Sequence, residues 1–107
     1  MTDMTGAPHA AKLECTIEAL NHEDPNVRWE AARLLGVLRD ARAVDPLISA
    51  LNDLDPDVRR KAALALAKIR DRRAVVALQA CSKNDENQVV RWAAAWSLGR
   101  FQERKTA

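Results

Sequence analysis

The stretch NDLDPDVRRKAALALAKIRDRRAVVAL at residues 52–78 decides the fold, because NHEDPNVRWEAARLLGVLRDARAVDPL at residues 21–47 repeats it 31 residues earlier. Pro25 and Pro56, Val27 and Val58, Arg28 and Arg59, Ala31 and Ala62, Leu35 and Leu66, and Asp40 and Asp71 pair at that one offset. A weaker third copy, VVRWAAAWSLGRF at residues 89–101, follows with one extra residue, so that Val58 matches Val90 and Leu66 matches Leu98. A fixed period of this size marks stacked supersecondary units, each burying its apolar face against the next.

Each unit reads as two helices. Asp55 before Pro56 is an N-cap followed by proline at the first helical position. Val58, Ala62, Leu66 and Ile69 then recur at helical spacing and mark one buried face. Asp24–Pro25 opens the matching helix of the preceding unit, and Asp40 and Asp71 cap the helices that come next. Leu13, Ile17 and Leu20 align with Val44, Ile48 and Leu51 at the same offset, so the array begins with a helix near His9. The pattern predicts six helices, at about 9–20, 25–38, 42–52, 56–69, 73–83 and 88–101. It divides the chain into a lead-in at 1–8, one repeat domain at 9–101 with units at about 9–38, 41–69 and 72–101, and a tail at 102–107. Gly36, Ala67 and Gly99 occupy equivalent helical positions and predict close helix approach between layers. The fifth helix is the weakest, with Gln79 and Ser82 where the preceding unit has Ile48 and Leu51, and is expected to pack loosely or near an edge.

Composition fits a soluble helical protein: 30% of residues are charged, aromatics are few and there is no tyrosine. The longest apolar run, residues 62–67, is too short to span a bilayer, and residues 1–8 lack the basic start and apolar stretch of a signal peptide. A formal charge of +2 carries no global polyanion-binding signature. Cys15 and Cys81 sit at non-equivalent positions of the first and third units. They are read as free thiols in a reducing compartment, which places the protein in the cytoplasm.

The pattern D-x-D-P-x-V-R-x-x-A-A-x-x-L-(G/A) followed by D-x-R-A-V stands here as LDPDVRRKAALALA with DRRAV and EDPNVRWEAARLLG with DARAV. It resembles the HEAT repeat, and more narrowly the branch called PBS-lyase HEAT-like repeats. The resemblance spans roughly residues 12–101. It implies an all-α, right-handed superhelix (solenoid) of three helix pairs, with the second helix of each pair lining the concave side. It also implies a ladder in which the Arg of each V-R bonds an Asp in the loop before it: Arg59 with Asp53, and Arg91 with Asp85. Arg28 has His22 at the corresponding place, so its rung is altered.

The positions that do not repeat point to function. Along each second helix, a stripe two residues after the Val lies about 200° around from the core face. It reads Trp29, Arg33 and Val37, then Arg60, Leu64 and Lys68, then Trp92, Trp96 and Arg100, with Glu30, Lys61 and Ala93 beside it. All three tryptophans of the chain lie on it. Trp and Arg are the residue types most enriched at binding hot spots. The residues expected to contact a partner are Trp29, Arg33, Arg60, Lys61, Lys68, Trp92, Trp96 and Arg100. The expected occupant is a protein or peptide of acidic character. Alternatives are a homodimer sealed by the tryptophans, or tryptophans that pack on neighbouring side chains and cover the last repeat. Nucleic acid on the Trp/Arg/Lys stripe is a further, less favoured reading.

The resemblance extends to two catalytic families. Deoxyhypusine hydroxylase is built of similar repeats, in which His-Glu pairs of a V-R-H-E-A-A motif bind two irons. Here the motif reads V-R-W-E-A-A at residues 27–32, with Trp29 in place of the ligand His and only Glu30 retained. Two histidines in the whole chain, one of them in the His22–Glu23 loop, cannot supply such a site. The bilin lyases carry these repeats in longer chains with a partner subunit, so an accessory role in such a complex is a third alternative. The expectation is a non-enzymatic scaffold with no metal, no cofactor and no membrane association.

Overall fold

The computed structural model describes the backbone of residues 7–102 and the side chains of residues 11–101. Among them are six helices: α1 (Ala7–Ala19), α2 (Pro25–Leu38), α3 (Val44–Ala50), α4 (Pro56–Ile69), α5 (Val75–Asn84) and α6 (Gln88–Gln102). The described structure begins within the lead-in expected at 1–8, with α1 starting at Ala7. Residues 1–6 of it lie outside the described part, as do residues 103–107 of the tail, while Gln102 closes α6.

Local chemistry sets the helix starts. The Asp55 carboxylate accepts the N–H of Asp57 and of Val58, and Asp24 accepts that of Asn26. Pro56 and Pro25 follow at positions where their missing N–H costs nothing. Asn87 does the same for α6, accepting from Val89 and Val90. Asp40 and Asp71 cap differently from expectation. Each accepts the N–H two residues on, and the chain then tightens into a 3-10 turn, Ala41–Ala43 or Arg72–Ala74, before the α-helix begins at Val44 or Val75. The i→i+3 bonds from Ala43 to Asp40 and from Ala74 to Asp71 hold these turns. The helices α2 and α4 end on Arg39 and Arg70, both left-handed (φ 52° and 60°), whose N–H groups reach back to Leu35 and Leu66.

The core is one continuous layer of aliphatic side chains. Leu35, Leu47, Leu66 and Leu78 are fully buried, one or two per unit, with Val44, Val58 and Val90 between them. The second helices α2, α4 and α6 pack side by side along the molecule. The first helices α1, α3 and α5 pack on their own partners and scarcely touch one another. This asymmetry curves the array, so α2, α4 and α6 form its inner face. The two arrangements account for the weak fifth helix: α5 packs fully on α6, burying Leu78 and Cys81, but stands off α3 across an open cleft.

Gly36 is needed where α2 meets α4. A Cβ there would lie 3.0 Å from the Ala65 Cα and 3.1 Å from its Cβ. At the equivalent Gly99 a Cβ would meet nothing within 4 Å, so the close approach predicted for all three positions fails at the third. No described helix stacks on that side of α6. Between α4 and α6 the buried Ser97 hydroxyl lies 2.9 Å from the Ala63 carbonyl and 2.8 Å from that of Ala93.

The arginine ladder exists with its direction reversed. Arg59 donates Nε and Nη2 to the two oxygens of Asp85 (2.8 and 3.1 Å), which lies in the loop that follows, not the one before. Its Nη1 binds the backbone carbonyls of Asp53 and Leu54 in its own loop. Arg28 grips Asp53 in the same way (2.9 and 3.0 Å) and the carbonyls of His22 and Glu23. Arg91 donates Nη1 to the Asp85 carbonyl. The reason is length: the guanidinium spans the gap between loops, so its terminal Nη1 satisfies carbonyls of one turn while its Nε–Nη2 fork takes a carboxylate from the next. Each ladder Asp also accepts the N–H two residues on, at Asp55 and at Asn87. In the first loop His22 performs that turn-closing role, its Nδ1 accepting from Asp24 at 3.0 Å.

Candidate functional site

The inner face follows from helical periodicity. With Val58, Ala62 and Leu66 turned to the core, Lys61, Leu64 and Lys68 fall along another flank of α4, and the buried Ala65 stands between that flank and the core, against α2. Arg33 reaches this flank from α2 and Trp96 from α6. Together these six side chains enclose a pocket of about 160 Å³. Leu64 and Ala65 form an apolar floor, the Trp96 indole a wall, and three cations the rim.

The tryptophans divide into two kinds. Trp92 and Trp96 are 60% and 44% exposed. Trp29 is half-buried against the core, with the Lys61 ammonium 5.2 Å from its ring centre. Trp29 and Trp92 do not line the pocket. The Arg100 guanidinium sits 5.3 Å from the Trp96 ring centre, in cation–π contact. Arg60 lies outside the pocket, with its Nη2 3.4 Å from Asp57.

Charge on the face is only partly compensated. Arg33 pairs with Glu30 one turn earlier at 2.6 Å, and that bond holds the Glu30 carboxyl below its ordinary range. Among the described residues neither Lys61 nor Lys68 has a carboxylate at ion-pair distance. The Lys61 ammonium is pushed below its usual value, first by burial and then by repulsion from Arg60, Arg33 and Lys68.

Two of the further hollows lie where the sequence predicts none. One, of about 370 Å³, lies on the outer surface between α3 and α5, with Ile48, Ala77 and Cys81 in its lining. Burial raises the Cys81 thiol above its ordinary value, and its Sγ faces Asp85 at 4.0 Å. The weak apolar pattern of the fifth helix was the signal for it. The other, of about 400 Å³, opens between α1 and α2 around Cys15, Val27 and Leu34; it left no trace in the repeat pattern. Cys15 is exposed and both cysteines are free. Among the described residues no three His, Cys, Asp or Glu side chains gather as a metal site would need.

The profile of HEAT repeats matches residues 13–99. The chain belongs to the HEAT-repeat family. The match is to the repeat as a whole and leaves the narrower PBS-lyase branch open. No curated protein matches the chain. Among solved structures it is similar to human deoxyhypusine hydroxylase in complex with glycerol, with a TM-score of 0.80 and 26% identity. That alignment covers 88% of this chain and 33% of the other, so the HEAT array here spans about a third of that protein's length. HEAT repeats generally serve as protein-interaction scaffolds. No described helix is long and apolar enough to cross a membrane.

Proposed function

We propose that this HEAT array is a non-catalytic scaffold that binds an acidic protein segment along the inner face of α2, α4 and α6. The observation that carries this reading is the meeting of Arg33, Lys61 and Lys68 with the Trp96 indole around one apolar-floored pocket. Trp92 extends the contact surface, and Trp29 supports Lys61 from beneath. Exposed aromatics supply buried area at low entropic cost, and unpaired cations orient and accelerate the approach of an acidic chain. Arg60 and Arg100 flank the path and belong to the same surface.

The likeness to an iron enzyme's repeats does not extend to its chemistry in this reading. Where the resemblance expects a His ligand, Trp29 packs on the core, and Glu30 beside it is bound to Arg33 at 2.6 Å. The residues present do not fit a metal pair.

Titration with a Glu-rich synthetic peptide, followed by tryptophan emission, tests the reading. Saturable binding is expected, weakened about tenfold or more by Lys61→Glu with Lys68→Glu. Lys83→Glu, on α5 of the outer layer, is expected to leave it unchanged. Equal losses in both variants would mean unspecific charge attraction and would reject the site. A single-stranded oligonucleotide that binds more tightly, with steep salt dependence, would move the assignment to nucleic acid.

A further inference from the structure

The inner-face pocket has a charge that a carboxylate satisfies only in part. Three cations rim it; Glu30 pairs with Arg33 and attracts Lys61 from farther off, and among the described residues neither Lys61 nor Lys68 has a carboxylate at ion-pair distance. Both belong to α4, two turns apart at Lys61 and Lys68, so they approach one bound group from its two ends. A single side-chain carboxylate brings one negative charge. A phosphomonoester brings between one and a half and two, with three acceptor oxygens.

The shape agrees with the charge. At about 160 Å³ the pocket is a hollow of side-chain size, not a long groove. Its floor of Leu64 and Ala65 and its Trp96 wall are apolar, suited to the stem that carries the charged group. Glu30 occupies the Nε–Nη2 fork of Arg33, so Arg33 bounds the pocket and the two lysines are its donors. Lys61 is tensioned between the Trp29 ring and its cationic neighbours, and a dianion relieves that repulsion more than a monoanion does.

The geometry points to a phosphate-reading subsite: the pocket bounded by Arg33, Lys61, Leu64, Ala65, Lys68 and Trp96 receives a phosphorylated side chain of a bound peptide. This rests on the inner-face reading above and narrows it to one anchor. Lys61 and Lys68 donate to the phosphoryl oxygens, and the Trp96 ring covers the stem. Binding is then switched by a modification of the partner, not by any change in this chain.

The test uses the unmutated protein, and binding is read by the anisotropy of a fluorescein-labelled peptide alongside tryptophan emission, which has no tyrosine background because the chain has none. Three peptides of one acidic sequence are compared, carrying phosphoserine, glutamate or serine at the central position. The phosphoserine peptide is expected to shift tryptophan emission and to bind about tenfold tighter than the glutamate form. Lys61→Gln and Lys68→Gln, each checked for native helicity, are expected to remove most of that preference. Equal binding of the phosphoserine and glutamate peptides would overturn the subsite and leave the inner-face reading standing. Binding of neither would overturn both. Displacement of the phosphopeptide by inorganic phosphate, or by a single-stranded oligonucleotide, at equal concentration would overturn the assignment to a peptide-borne group.

Discussion

Asp85 serves three neighbours at once: the Arg59 fork, the Asn87 N–H and the nearby Cys81 thiol. Its side chain is 7% exposed and that of Arg59 is 9% exposed, so neither charge is well solvated without the other. Asp85→Ala leaves a buried guanidinium unpaired and a turn N–H unsatisfied, and is expected to cost about 3 kcal/mol in urea unfolding. Asp53→Ala removes the same rung from the more exposed Arg28 and is expected to cost clearly less. Equal losses would mean that the ladder acts through loop geometry alone. The residues of these rungs were legible in the sequence, since Arg28, Arg59 and Arg91 recur at regular offsets and Asp53 recurs as Asp85. Which Asp each Arg chooses was not, because both loops lie within reach of one side chain and only the stacking distance decides between them.

At the scale of the helix, Gly36 and Gly99 separate packing from propensity. They are equivalent in the repeat, yet only Gly36 lies against a neighbour's backbone, 3.0 Å from Ala65. Gly36→Ala is therefore expected to lower stability by about 1 kcal/mol, overpacking outweighing the gain in helix propensity. Gly99→Ala keeps only that gain and is expected to raise stability by up to about 1 kcal/mol. Thermal unfolding of the two variants checks the contrast, and a shift of the same sign in both would contradict it. Helix count and approximate extent could be read from Asp-Pro caps and aliphatic spacing. The 3-10 turns before α3 and α5 could not, since Asp40 and Asp71 cap a tight turn with the same side-chain bond that would start an α-helix. Nor could the gap between α3 and α5, which depends on curvature that no single unit encodes.

For the molecule as a whole, two carboxylates bound to arginines tie stability to acid. The Glu30 and Asp71 carboxyls are held below their ordinary values of 4.5 and 3.8, chiefly by hydrogen bonds from Arg33 and Arg73. The unfolded chain therefore takes up these protons first as pH falls. The stabilisation is complete above those ordinary values and is lost as pH drops through the lowered folded-state ones. Melting temperature is expected to fall steadily toward about pH 3, and Asp71→Asn to start lower and fall less. A melting temperature flat to that pH would contradict the linkage.

The inner face is where sequence and structure meet least completely. The stripe that includes Arg33, Lys68 and Trp96 was visible as the part of each unit that breaks the repeat, whereas the pocket was not, because it takes one helix from each of three units. The central claim is that this face, and not the outer one, receives an acidic partner. The most direct measurement is an amide and indole NMR titration of the protein with the phosphoserine peptide. The account predicts shifts at the Trp96 indole and at residues of α2, α4 and α6 around Arg33, Lys61 and Lys68, with α1, α3 and α5 unmoved. Shifts centred on the α3–α5 cleft, or none at the Trp96 indole on saturation, would contradict it.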